Sequence, residues 1–190
     1  TTVNTDINGL GILALGYNGA VPAATFASTN ANYDGTVAID MLGFSTPLTL
    51  TGKLVLGSSL GGNYTASSLT AGTGGVYRLG TGGGQLNINS AVLGSGSVNV
   101  GAVTGTPGAN LIGNAGTVAL NTANTYAGGT TIHGNAVVQL GHAGALGSGT
   151  ITFNGGTLQP NQTGLGLTTN ITLLAPFTVN NDIAFGSNAI

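Results

Sequence analysis

Eight side chains could carry acid–base, electrostatic or metal chemistry in this chain: Asp6, Asp34, Asp40, Asp182, Lys53, Arg78, His133 and His142. Glycoside hydrolysis asks for two carboxylates facing one bond. Only Asp34 and Asp40 lie close enough in sequence to share one end of a molecule. Lyase chemistry of the pectate type asks for several carboxylates around calcium and a basic proton acceptor. Arg78 and Lys53 are the available bases, and no acidic cluster accompanies either. His133 and His142 are nine residues apart, each beside a glycine, and no third metal ligand is evident in the sequence. They read as surface corner residues. No Asp stands near either histidine, so a Ser-His-Asp set is not arguable. The expectation is a chain without catalytic residues or cofactor.

Asn30-Ala-Asn32-Tyr-Asp34-Gly35 places ligand-capable side chains at alternate positions before a glycine, as a calcium loop begins. The twelfth position is Met41, where such a loop needs a bidentate Glu. An Asn/Asp-rich turn is the preferred reading, with calcium at Asn30, Asn32 and Asp34 as the distant alternative. Gly9-Leu-Gly11 mimics a dinucleotide fingerprint without the strand–turn–helix around it. The tyrosines 17, 33, 64, 77 and 126 are scattered, which leaves a sugar-stacking platform unsupported. The triplets beginning at Asn63, Asn161 and Asn170 fit the glycosylation acceptor pattern, which Asn/Thr-rich composition also supplies by chance.

Charged residues are 3% of the 190, against about 25% in ordinary domains. A net charge of −2 offers no footprint for nucleic acid and no basic stripe for a membrane surface. The hydrophobic fraction, 41%, is too high for a disordered chain. With no cysteine, disulfides and thiolate sites drop out. No apolar run approaches the roughly 20 residues of a membrane helix, and Thr1 to Gly11, with neither a basic start nor a long apolar stretch, does not read as a secretory leader. Without an initiating Met, it reads as a processed product or a segment of something longer.

What must position these residues is a recurring unit: a glycine, then apolar residues at alternate positions. It occurs at Gly35-Thr-Val37-Ala-Ile39, Gly52-Lys-Leu54-Val-Leu56, Gly75-Val-Tyr77-Arg-Leu79, Gly84-Gln-Leu86-Asn-Ile88 and Gly96-Ser-Val98-Asn-Val100. It returns at Gly116-Thr-Val118-Ala-Leu120, at Gly134 through Ala136, Val138 and Leu140, and at Gly149-Thr-Ile151-Thr-Phe153. Each predicts a short strand with one apolar face. The starts fall 17, 23, 9, 12, 20, 18 and 15 residues apart. Several intervals match one coil of a solenoid, and the shorter ones fit two strands in one coil. Such strands cannot bury an apolar face alone, but stacked in parallel each coil covers the next. Low charge fits too, because like charges stacked about 4.8 Å apart would repel along the whole body. The expectation is an all-β parallel β-solenoid of roughly eight coils, with about 20 to 25 residues per coil. An antiparallel sandwich is the alternative, with hairpins at Asn154-Gly155, Asn18-Gly19 and Asn8-Gly9.

One stretch is specific. Asn124-Thr-Tyr126-Ala-Gly128-Gly129-Thr130-Thr131-Ile132, then Gly134, Leu140-Gly141, Gly144-Ala145-Leu146-Gly147-Ser-Gly149 and Gly155-Gly156-Thr157-Leu158 form it. It resembles the autotransporter-associated β-strand repeat of bacterial surface proteins. Residues 86–190 resemble such an array around the core motif at 124–158, while residues 1–85 read as solenoid without a clear match. The resemblance implies a right-handed parallel β-helix, exported to the bacterial surface or beyond, where the repeat serves as stalk and scaffold. The expected partners are copies of the chain or flanking coils of a longer one. Read without the family, Gly128-Gly129 is a turn after Tyr126, Gly134 a corner between two strands, and Leu146 an inward leucine. The expected function is structural: a building block of a fibre, stalk or matrix filament, with both strand-like ends continued by more solenoid. The alternatives are an adhesin segment that binds glycans or host surfaces, and a polysaccharide-active enzyme.

Overall fold

The structure, a computed structural model, describes residues 2–3, 12–16, 24–26, 35–90, 93–101, 116–161 and 176–185. Among them there are strands, turns and no helix. Frequent glycine explains this, since each costs about 1 kcal/mol in a helix interior relative to Ala. No helix is long and apolar enough to cross a membrane among these residues.

The strands stand in three columns. The first holds β2 (Ile12–Leu15), β4 (Thr36–Ile39), β6 (Val55–Gly57), β9 (Val76–Leu79), β11 (Ser97–Val100), β13 (Thr130–Leu140), β14 (Ile151–Pro160) and β15 (Phe177–Asn181). The second holds β7 (Gly62–Tyr64), β10 (Gln85–Ile88) and β12 (Thr117–Leu120), continues in the second halves of β13 and β14, and closes with β16 (Ala184–Phe185). Because β11 pairs with the start of β13 and β12 with its end, the two columns join into one 12-stranded sheet. The third column is a separate four-stranded sheet of β1 (Thr2–Val3), β3 (Ala24–Phe26), β5 (Leu48–Leu50) and β8 (Leu69–Thr70).

Every ladder between these strands is parallel, and among the described residues the one antiparallel contact is an isolated bridge between Gly72 and Val76. This overturns the sandwich alternative. Asn154-Gly155 makes no hairpin: it lies inside β14, where Gly155 (φ 104°) and Gly156 (φ 90°) bend the strand without reversing it. The other two proposed hairpins, Asn18-Gly19 and Asn8-Gly9, lie outside the described residues. Parallel strands linked at short intervals, with no crossover helix among the described residues, are compatible with a β-helix.

Partner residues sit about one expected coil apart. Thr36 faces Val55, Val76 faces Ser97 and Thr130 faces Ile151, intervals of 19, 21 and 21. One step is longer: Val98 faces Thr130 and Gln85 faces Thr117, both 32 apart. The excess lies between β11 and β12, which are separated by residues 101–116, whereas β9 and β10 are separated by 80–84.

Register turns the alternation into continuous stacks. Leu13, Val37, Leu56, Leu79, Val100, Ile132, Phe153 and Val179 follow one another down the first column. Phe44, Tyr64, Ile88, Leu120, Leu140 and Pro160 do so in the second. Both stacks feed one core that is buried from Val37 to Leu158. Each large apolar side chain there contributes roughly 1.5–3 kcal/mol. The alternation is strict in β9, β10 and β11. In β6 it is not, because Val55 is buried alongside Leu54 and Leu56.

Candidate functional site

Among the described residues the ionisable groups do not converge. Asp40 sits at a corner, where Ser58 Oγ (2.8 Å) and the backbone N–H groups of Ser59 (2.7 Å) and Leu60 (3.1 Å) donate to its Oδ1. Ser59 Oγ donates to Oδ2. Partial burial alone would raise its pKa, but these donors outweigh it and hold the carboxyl below its usual value. Such a carboxylate caps a turn and is a poor proton carrier. The Arg78 guanidinium donates to the carbonyls of Thr73 and Val76 on its own side of the turn. Asp6, Asp34 and the proposed calcium set of Asn30, Asn32 and Asp34 lie outside the described residues. Among those described, no three of His, Cys, Asp or Glu cluster as a metal site would require.

The two histidines differ, and one expectation is corrected. His142 is exposed in a turn, and its Nδ1 accepts the Gly144 N–H at 2.9 Å. His133 is not a surface residue: it is 9% exposed, and its Nε2 has no hydrogen-bond partner among the described residues. It stands in β13, one residue before the bend at Gly134 (φ 48°), with Asn154 in register on the next strand. Burial pushes its pKa down. The described tyrosines also go inward, while Tyr17 and Tyr33 lie outside the described residues. Tyr64, Tyr77 and Tyr126 are buried and form no sugar platform, because their rings fill the core between coils. Asn161 is 2% exposed, which puts it out of reach of a glycosylating enzyme in the folded chain.

The stretch 124–158 is where side chains do the most to close a coil. Between β12 and β13 the third side has no ladder strand. Asn124 supplies one tie there, donating from Nδ2 to the Ala145 carbonyl (2.8 Å) and to that of Thr122 (3.3 Å). Tyr126 supplies another, its hydroxyl 2.6 Å from Thr130 Oγ1, which in turn donates to the Leu146 carbonyl (3.1 Å). Thr130 is therefore a satisfied polar group in the otherwise apolar stack of Tyr77, Val98, Ile151 and Phe177. Ile132, Leu140, Leu146 and Leu158 are buried as alternation requires. Gly128 and Gly129 carry the chain from Tyr126 into β13, and Gly134 and Gly156 mark the bends of β13 and β14. Gly149 is fixed by space: a Cβ there would stand 2.4 Å from the Ala127 oxygen and from the Gly129 nitrogen.

Sequence reasoning missed an asparagine staple. Asn89, Asn121, Gly141 and Asn161 follow β10, β12, β13 and β14 at the same corner. Asn121 Nδ2 donates to Asn89 Oδ1 (2.6 Å), and Asn161 Nδ2 reaches across the Gly141 level to Asn121 Oδ1 (2.5 Å). The signal was available as an Asn directly after the last inward residue of three strands.

The last feature is the exposed strand β15, which pairs only with β14 among the described strands. Phe177, Val179 and Phe185 lie in register with the buried Ile151, Phe153 and Leu158, yet they are 59%, 49% and 70% exposed. At the other end of the sheet, β2 pairs only with β4 among the described strands, and Ile12 is 47% exposed.

No protein family, curated protein or solved structure matches the chain.

Proposed function

We propose that the chain is a structural β-solenoid, a right-handed parallel β-helix of roughly eight coils. It serves outside a bacterial cell as a building block of a surface fibre, stalk or matrix filament, lengthened by coils stacked end to end. One observation supports this reading: the apolar stacks continue in register from Leu13 to Val179 through every described strand of the first column. A body built this way is paired by backbone hydrogen bonds along its whole length, which suits bearing and spacing rather than turnover. One coil for each strand of the first column, at about 4.8 Å per coil, makes a rod roughly 40 Å long. The outward stack Arg78–Asn99–Thr131–Thr152–Thr178 is polar, with a single charge at one end. The likeness of residues 124–158 to the autotransporter-associated repeat supplies the extracellular setting and the handedness.

Imaging of native material tests this reading. Rods or filaments with a repeat near 4.8 Å along the axis are expected. Isolated compact particles would count against it. In the same reading the chain is non-catalytic. Release of reducing or unsaturated ends from pectin-type polysaccharide, lost in Asp40→Asn or Arg78→Ala, would overturn that.

A further inference from the structure

Two side chains of this chain, His133 and His142, are of the type that changes charge between about pH 5 and 8. His142 is exposed in a turn. His133 Nε2 is closed to solvent and has no hydrogen-bond partner. A neutral imidazole carries one N–H, whereas the imidazolium carries one on each nitrogen. Protonation therefore makes Nε2 a charged donor in a closed site, and a buried charged donor left without an acceptor costs more than a neutral one.

The bend around His133 has no slack to take up that donor. A Cβ at Gly101 would stand 2.9 Å from the His133 oxygen and 2.7 Å from Ala136 Cβ. A Cβ at Gly156 would stand 2.8 Å from the Ala136 oxygen and 2.9 Å from Ile132 Cγ2. Layers on both sides thus lie directly against the bend. Nor does a counter-charge face it. Gly101 follows β11, Asn154 is in register on β14, and Asn180 and Asn181 continue the row on β15. Asp182 comes next, two strands from His133, and it is exposed. Residues 102–115, which run on from Gly101, contain no ionisable side chain. The polar side chain in register is Asn154, whose Oδ1 already accepts from Asn180 Nδ2 (2.9 Å). An imidazolium drawn to that oxygen competes with the tie between β14 and β15.

We infer that His133 is an acid-sensitive latch on the bend of β13 and β14: its protonation opens this bend and leaves residues 35–90 closed. The latch stands apart from the scaffold reading and holds whether or not the chain forms fibres. Its sign follows from burial, which favours neutral His133 in the fold. The latch is fully shut above the unfolded value of about 6.5 and loosens as pH falls below it.

Hydrogen exchange of the 190-residue chain at about pH 7.5 and about pH 5 tests this, with each rate divided by that of an unstructured peptide at the same pH. Protection at 130–134 and 151–156 should fall several-fold at the lower pH, while 35–90 keeps its protection. The fall should vanish in His133→Asn and in His133→Gln, two uncharged replacements, and persist in His142→Asn. Three outcomes would overturn the inference: equal protection of the bend at both pH values, a fall that survives in either His133 variant that still shows β-type circular dichroism, or a fall abolished by His142→Asn. Should neither His133 variant fold, the imidazole proton shifts of the unaltered chain decide: the bend must open over the same pH range in which His133 titrates, and opening outside that range refutes the latch.

Discussion

Residues 35–90 and 116–161 build the same kind of coil and close its third side by different means. In the first region the third side is a β-ladder, in which Leu48 faces Leu69 and Thr49 faces Thr70. In the second it is a turn, held by the Asn124 amide and the Tyr126–Thr130–Leu146 relay. The first region buries Tyr64 and Tyr77 and the second Tyr126, and in each region one of these hydroxyls anchors the third side. Tyr64 OH accepts the Leu48 N–H (3.0 Å) and donates to the Ser68 carbonyl (2.6 Å), so it serves the backbone alone. Tyr126 works through another side chain. A backbone ladder asks little of residue identity beyond alternation, whereas a side-chain relay asks for particular residues at particular positions. That is the physical reason why 124–158 depends on particular residues at fixed positions while 35–90 depends mainly on alternation.

Removing the Tyr126 ring should do the most damage. Tyr126→Ala should cost about 3–5 kcal/mol through the cavity it leaves. By hydrogen exchange the loss should concentrate in 116–161 and spare 35–90, because coils interact chiefly with their neighbours. Uniform loss of protection would mean the two regions are one cooperative unit. Smaller, at about 1–3 kcal/mol, is Thr130→Val, which strands the Tyr126 hydroxyl and the Leu146 carbonyl in the core; urea denaturation measures it. The two anchors can then be compared directly. Tyr64→Phe leaves both a buried N–H and a carbonyl without the partner they have now. Tyr126→Phe leaves the Thr130–Leu146 bond intact and should cost only about 1 kcal/mol. Equal melting shifts would erase the distinction drawn between them. Smallest is a pH effect confined to the second region. His133 has a depressed pKa in the fold, so its neutral form is favoured there. Its contribution is complete above the unfolded value near 6.5 and is lost as pH falls from there toward the folded value. His133→Asn should flatten the melting temperature across that window.

The strands β4 and β9 to β12 were legible because a glycine followed by strict alternation leaves little choice of face. The bend of β13 was legible from Gly134. Strands β5 and β8 were not, since Leu48-Thr49-Leu50 lacks a preceding glycine and Leu69-Thr70 is too short to show a period. The burial of His133 was invisible for another reason. A neighbouring glycine suggests a corner, and corners of an isolated coil face water, but stacking covers them. The carboxylate cap at Asp40 depends on Ser58 and Ser59 being brought to it by the next coil, which no local pattern announces. The relay from Tyr126 to Thr130 lay within one quoted stretch, yet its far end at Leu146 appears only after a full coil has closed.

The Asn161–Asn121 bond has a consequence for how this body comes apart. A stack whose layers touch only adjacent layers melts like a zipper, losing one layer at a time from an end. Here a rung passes over an intervening glycine level and ties layers that are next-nearest neighbours. Fraying at Asn161 thus strains Asn121 as well, so three layers tend to open together or stay shut. Shortening a residue to hydrogen at Gly141 lengthens the reach of cooperativity.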